Sequence, residues 1–267
     1  MSTFSLAEFE TATSKITSGM KDISAKIPEL KPAAAATANK WYVPDIIGNA
    51  LVEMAGWAAD LAKTILDKII DVIEGLFAPI KMFYDASKWS SIQSTTETVA
   101  SDIGEERIKR KLTEAFWEGP ATEAYLTVAK AQGTAATRVS SMADTIKTTL
   151  NASAVAGLVF YVAIAVIVIK FLAAMISMIV EFGIVIASLF GVATIIEEAG
   201  TVPLAIAAAV GGLLAFLGPQ IETLINNSAS LESGAGLDGG HWPKLATGTF
   251  SDATVKDGDA DWSVQDR

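Results

Sequence analysis

The chain has 267 residues, of which 51% are apolar, and a formal charge of −10. That acid excess argues against a nucleic-acid binder, because contacts to phosphates need clustered Lys and Arg. With no cysteine in the sequence, disulfide frameworks, thiolate zinc sites and cysteine nucleophiles are excluded.

MSTFSLAEFETATSK, at the start, has neither the basic beginning nor the apolar h-region of a secretory signal, so the expected export route uses no such signal. Residues 5–27 carry the first helical pattern. Ser5-x-x-Glu8 fits a capping box, and Leu6, Phe9, Ile16, Met20, Ile23 and Ile27 keep one stripe. Pro28 and Pro32 are expected to stop this helix, leaving AAAATANK as a hinge before Trp41.

A second helix is expected from Pro44-Asp45. Ile47, Leu51, Met54, Ala58, Leu61, Ile65, Ile69, Val72 and Leu76 step by three and four, and Glu53, Asp60, Asp67, Asp71 and Glu74 fall on another face. Gly75 and Pro79 should kink or end it. Ile80 to Ser91, with Phe83, Tyr84 and Trp89, then reads as a turn of packed aromatics. A third, more polar helix is expected over 90–116, with Ile92, Val99, Ile103, Leu112 and Phe116 on one face. Its basic cluster, Arg107, Lys109, Arg110 and Lys111, is answered by Glu105, Glu106 and Glu114, so it reads as a solvated helix face. A fourth helix runs over about 121–150, with Tyr125, Val128, Ala135, Val139, Met142, Ile146 and Leu150 at near-heptad spacing.

Between the third and fourth helices lies Trp117-Glu118-Gly119-Pro120-Ala121. Gly119 suits a helix C-terminus, Pro120 suits the first turn of the next helix, and Trp117 would pack on both. Arms of about 28 residues at ~1.5 Å each give a hairpin of roughly 40–45 Å.

From about Ala154 to Leu217 the chain is almost continuously apolar, with room for two or three spans of roughly 20 residues. Lys170 and Glu181 interrupt it, about three helical turns apart. They fit either the polar lining of an oligomeric pore or the snorkelling ends of helices. Glu197-Glu198-Ala199-Gly200-Thr201-Val202-Pro203 reads as a polar turn between two apolar arms, about 171–196 and 203–217. The stretch 151–170 either extends the first arm or forms its own span. The second arm is rich in small residues (Ala205, Ala207, Ala208, Ala209, Gly211, Gly212), which permit close helix packing. Gly218-Pro219 punctuates the end. From about Asn226 onward, small turn-forming residues and scattered acids predict disorder.

Chemistry-bearing patterns are sparse. His241 is the one histidine. Asp257, Asp259 and Asp261 imitate the start of a calcium loop, but Trp262 stands where its glycine belongs. Neither a phosphate-binding glycine loop nor a nucleophile elbow is present. The expectation is a non-enzyme with no cofactor or metal.

The segment FWEGPATEAYLTVAKAQGTAATRVSSMADTIKTTL resembles the Trp-x-Gly helical-hairpin family of type VII (ESX) secretion substrates of Gram-positive bacteria. Trp117, Gly119, Ala121 and Tyr125 carry the likeness. The amphipathic helix before the hairpin is similar to that of the long actinobacterial members with an apolar region. The resemblance covers roughly residues 45–150. It implies secretion without a cleavable signal peptide, in a bacterium, with a helical secretion partner or a secretion ATPase. None of Tyr42, Tyr84, Tyr125 and Tyr161 has the acid four residues on that the family's export signal needs, so a separate partner would supply it.

The expected architecture is all-α: an elongated helical bundle, a hydrophobic helical hairpin and a disordered acidic tail. Its parts are 1–43 (amphipathic helix and linker), 44–150 (bundle with the Trp-x-Gly hairpin), 151–226 (hydrophobic hairpin) and 227–267 (tail). The first functional reading is an exported protein that inserts its apolar hairpin into membrane lipid, as a homo-oligomeric pore or channel. The others are a resident integral membrane scaffold, its body placed in the cytoplasm by Lys130, Arg138 and Lys147 under the positive-inside rule, and a soluble helical oligomer.

Overall fold

The computed structural model describes residues 4–114, 120–182, 185–233 and 236–244. Among them are six α-helices and one 3-10 turn, with no strand: α1 (Leu6–Ala38), α2 (Asp45–Ile73), α3 (Ala78–Asp102), α4 (Glu105–Glu114), α5 (Pro120–Phe182) and α6 (Val185–Ser233). The all-α expectation holds. The chain divides into two compact units, and α3, α5 and α6 supply residues to both.

The first unit comprises residues 1–83 and 151–220. α1 opens as its sequence predicts, with the Ser5 hydroxyl accepting from the Glu8 N–H at 3.3 Å. It does not stop at the prolines, and AAAATANK is not a hinge. Pro28 and Pro32 both sit on the exposed face, where water can take the freed carbonyls. On the other face Ile27, Leu30 and Ala34 are buried. At about 1.5–3 kcal/mol for each fully buried large aliphatic side chain, that packing outweighs the proline penalty.

α1 and α2 pack on one another. α2 brings small residues to the core, Ala55, Ala58, Ala59 and Ala62, all buried between Leu51 and Ile65. The core is completed by one face of α5, where Leu158, Tyr161, Ile164, Val168, Met175 and Phe182 are buried. The Phe9 ring meets Tyr161 edge-on at 5.5 Å, and Phe4 stacks on Phe83 at 5.0 Å.

Residues 80–91 are helical, not an aromatic turn. Pro79 falls in the first turn of α3, where a missing N–H costs nothing. The expected third helix is two helices, because Ile103-Gly104 separates α3 from α4. α5 does not pause at Leu150 but continues through the apolar region, so 151–170 extends the helix before it. Gly157 lies inside this helix with Pro79 directly over it, where a side chain would have no room.

The second unit comprises residues 84–150 and 221–267. α3 and α4 run antiparallel to the polar half of α5. Lys147 Nζ donates to Gln93 Oε1 at 2.8 Å, Ser140 Oγ donates to Glu97 Oε1 at 3.3 Å, and Lys130 pairs with Glu105 at 3.2 Å. Asn227 Nδ2 donates to the Met142 carbonyl at 3.2 Å, which seats the end of α6 on α5. Residues 226–233 are therefore helical, although the sequence there predicts disorder. Residues 236–244 also lie on α5: Leu237 is buried, and Gln132 Nε2 donates to the Pro243 carbonyl at 2.9 Å. The expected tail beyond residue 244 lies outside the described residues.

Candidate functional site: the apolar helices

α5 is apolar on two opposite faces over 158–182. The inner face is closed by α1 and α2. The other carries Val159, Val162, Val166, Ile169, Ile176 and Val180, all exposed, at steps of three, four and seven. Val159 is 64% and Val180 60% accessible. That spacing is a continuous stripe along one side of a helix. Between Lys147 and Lys170 lie 22 consecutive residues, 148–169, without a charge.

α6 is barer still. Val202 and Ile206 are buried in the core, and Ala209, Val210 and Leu213 pack partly against it. Over 204–225 other large apolar side chains face outward: Leu204 is 71% and Leu214 63% exposed, and Phe216, Ile221 and Ile225 are exposed too. Between Glu198 and Glu222 lie 23 consecutive uncharged residues, 199–221. Both windows reach the roughly 20 residues that a helix needs to cross hydrocarbon, and both helices are long and apolar enough to do so.

Glu197–Pro203 is not the turn between these arms. α6 runs through it, and through Pro203 and Pro219, without interruption. α5 ends at Phe182 and α6 begins at Val185; residues 183–184 lie outside the described residues. The acid pair and proline at 197–203 look like a stronger turn signal than they are within a long apolar helix.

Lys170 is exposed on α5 and Glu181 is half-buried there. No ion pair joins them among the described residues. Glu197 and Glu198 lie in the first half of α6, their side chains outside the described set. Trp117 and Gly119 also lie outside the described residues. Pro120 is the first residue of α5 and Ala121 the second, and Tyr125 is half-buried on its second turn.

One surface goes unmarked in the sequence reading. In the connection between α1 and α2, Trp41 is 93% exposed and Ile46, at the start of α2, 85%, with Tyr42 beside them. Trp41 and Tyr42 stack edge-on at 5.6 Å. Pro44 and the flanking helices locate the turn, but only the packed hairpin shows that these side chains point away from it.

In the second unit a cavity of about 590 Å³ is lined by Glu105, Lys130, Thr134, Arg138, Ser141 and Asn227, among others. The Lys109 and Lys130 ammonium groups bonded to Glu105 hold its carboxyl below the usual carboxylate range. The Thr134 and Ser141 hydroxyls donate to carbonyls four residues earlier in their own helix. Glu105 is the one carboxylate in this lining, so the cavity offers no pair for general acid–base work. No group of His, Cys, Asp and Glu among the described residues is arranged to hold a metal ion. No protein-family model, curated protein or solved structure matches the chain.

Proposed function

We propose that this protein inserts α5 and α6 into membranes. The observation that carries the reading is the bare apolar surface of α6 together with the outer stripe of α5. Soluble monomers rarely expose contiguous apolar patches beyond a few hundred Å². Here two uncharged windows of spanning length each leave exposed apolar residues on the surface, Val159, Val162 and Val166 on α5 and Leu204 and Leu214 on α6. Trp41 and Tyr42 suit the headgroup level of a bilayer, where amphipathic rings concentrate. The exposed small residues of α6, Ala205, Ala207, Ala208, Gly211 and Gly212, suit close association of copies within lipid. In such an oligomer Lys170 and Glu181 would line a pore. A soluble assembly that covers α6 with neighbouring copies is the competing reading, favoured by the same small residues.

Type VII-like export, with a helical secretion partner or a secretion ATPase, belongs to this proposal through the likeness at Trp117 and Gly119. Its test is loss of the chain from the medium of a type VII-competent host on Trp117→Ala.

Flotation and dye leakage with phosphatidylcholine–phosphatidylglycerol vesicles test membrane insertion. The expected result is protein that floats with the vesicles and releases their contents. A detergent-free oligomer of fixed size that neither floats nor causes leakage would overturn the reading in favour of the soluble assembly.

A further inference from the structure

The inner face of α5 is as apolar as the outer, but α1 and α2 cover it. α1 carries eight charged residues and α2 seven, and none of the fifteen is buried. A charge at the centre of a bilayer costs roughly 2.5–3.5 kcal/mol even on the mildest scale. The whole first unit therefore cannot enter hydrocarbon as folded. α6 can meet lipid with α1 and α2 in place, because its outward side is already bare. α5 can be surrounded by lipid only after α1 and α2 have left it.

We propose that α1 and α2 form a latch on α5, and that membrane action has two stages: α6 docks on lipid first, and release of the latch then admits α5. This rests on the membrane-inserting reading above. The seat of the latch is Gly19 against Val168. Val168 is fully buried, and its Cγ1 occupies the place where a Cβ on Gly19 would stand. Phe9 on Tyr161 is a second contact along the same seam. Because α1 and α2 pack on one another, they depart together.

The absence of cysteine makes the latch lockable. A Cβ built on Gly19 lies 3.7 Å from the Val168 Cβ, within the usual disulfide range of roughly 3.5–4.5 Å. The full chain carrying Gly19→Cys and Val168→Cys is tested, oxidised and reduced, on phosphatidylcholine–phosphatidylglycerol vesicles by flotation and by dye leakage. The oxidised form is expected to float like the parent but to leak at least about tenfold more slowly, with reduction restoring the rate. Equal leakage from the two forms would overturn the latch while leaving membrane insertion standing. Failure to float or leak in either form, and in the parent, would remove the membrane reading and the latch with it. Gly19→Val works in the opposite sense: its side chain collides with Val168 and should speed leakage. Gly19→Ala with Val168→Ala, which removes the collision, should return leakage to the parent rate. Parent-like leakage from Gly19→Val would count against the latch.

Discussion

Arg138 on α5 donates from Nη2 to the backbone carbonyl of Ser230 near the end of α6, at 2.7 Å. The bond spans 92 positions of sequence and pins a helix end, where carbonyls have no partner within the helix. Arg138→Ala should destabilise the second unit by about 1.5–2 kcal/mol, the lower part of the range for bonds to charged groups, since the side chain is half-exposed. Amide exchange at residues 226–233 should speed up roughly tenfold. Unchanged exchange there would show that Asn227 alone holds the helix end.

Glu105 ties α4 to α5 by bonding Lys109 in its own helix and Lys130 in α5. Its carboxyl titrates below the ordinary value of 4.5, chiefly because of the bond from Lys109 and then that from Lys130. A lowered carboxyl stabilises the fold fully above its unfolded pKa, and that stabilisation is lost as pH falls through the folded one. Lys109 is raised above 10.5, mainly by its bond to Glu105, so its share is lost only as pH climbs through that alkaline range. Protection of α4 amides should therefore be flat near neutrality and fall below pH 4.5. Glu105→Gln should remove the acid limb, and a profile unchanged by that substitution would refute the assignment.

Pro28 and Pro32 lie on the exposed face of a helix that continues past both. Pro28→Ala restores an N–H that can bond the Ser24 carbonyl. It should raise stability by roughly 1–3 kcal/mol, the helix-propensity gain less the lost restriction of the unfolded chain. Urea unfolding of the first unit measures it. Pro32→Ala should act in the same direction, because its restored N–H faces the Pro28 carbonyl.

Leu204 and Leu214 separate solution stability from membrane action. Both are largely exposed, so Leu214→Lys should change stability in solution by no more than about 0.5 kcal/mol. In a bilayer the same change costs roughly 2.5–3.5 kcal/mol near the helix centre, so vesicle leakage should drop by about two orders of magnitude. Leu204→Lys, nearer one end of the uncharged window, should cost less. A variant with parent-like leakage would place α6 outside the lipid.

Helix class and the location of the apolar segments were legible in the sequence because both rest on patterns that repeat every few residues. The stripe from Ile47 to Leu76 needs no partner to be read as amphipathic. The breaks were harder. Proline and glycine rules describe isolated helices, and buried neighbours overrule them here: Leu30 and Ala34 beside Pro32, Val202 and Ile206 around Pro203, and the Pro79 ring on Gly157. The end of α6 looks like tail in the sequence because Asn226–Ser233 is small and polar, and its bonds to Met142 and Arg138 come from residues far away in the chain. Composition shows that 199–221 is greasy, but not that this stretch rests on the core only through Val202, Ile206 and their partly buried neighbours Ala209, Val210 and Leu213. Coverage is a property of neighbours distant in sequence.

In the membrane-inserted form proposed above, Pro203 and Pro219 would act as a depth gauge for α6. Neither ring can donate to the carbonyl one turn earlier, at Ala199 and Ala215, so those two oxygens look elsewhere for a hydrogen. They are sixteen residues apart, about 24 Å along a helix that rises ~1.5 Å per residue, somewhat less than the ~30 Å of a hydrocarbon slab. In lipid each oxygen seeks a wet boundary, a hydroxyl or a neighbouring strand of protein. The backbone itself would thus fix how deep and at what slant this helix settles.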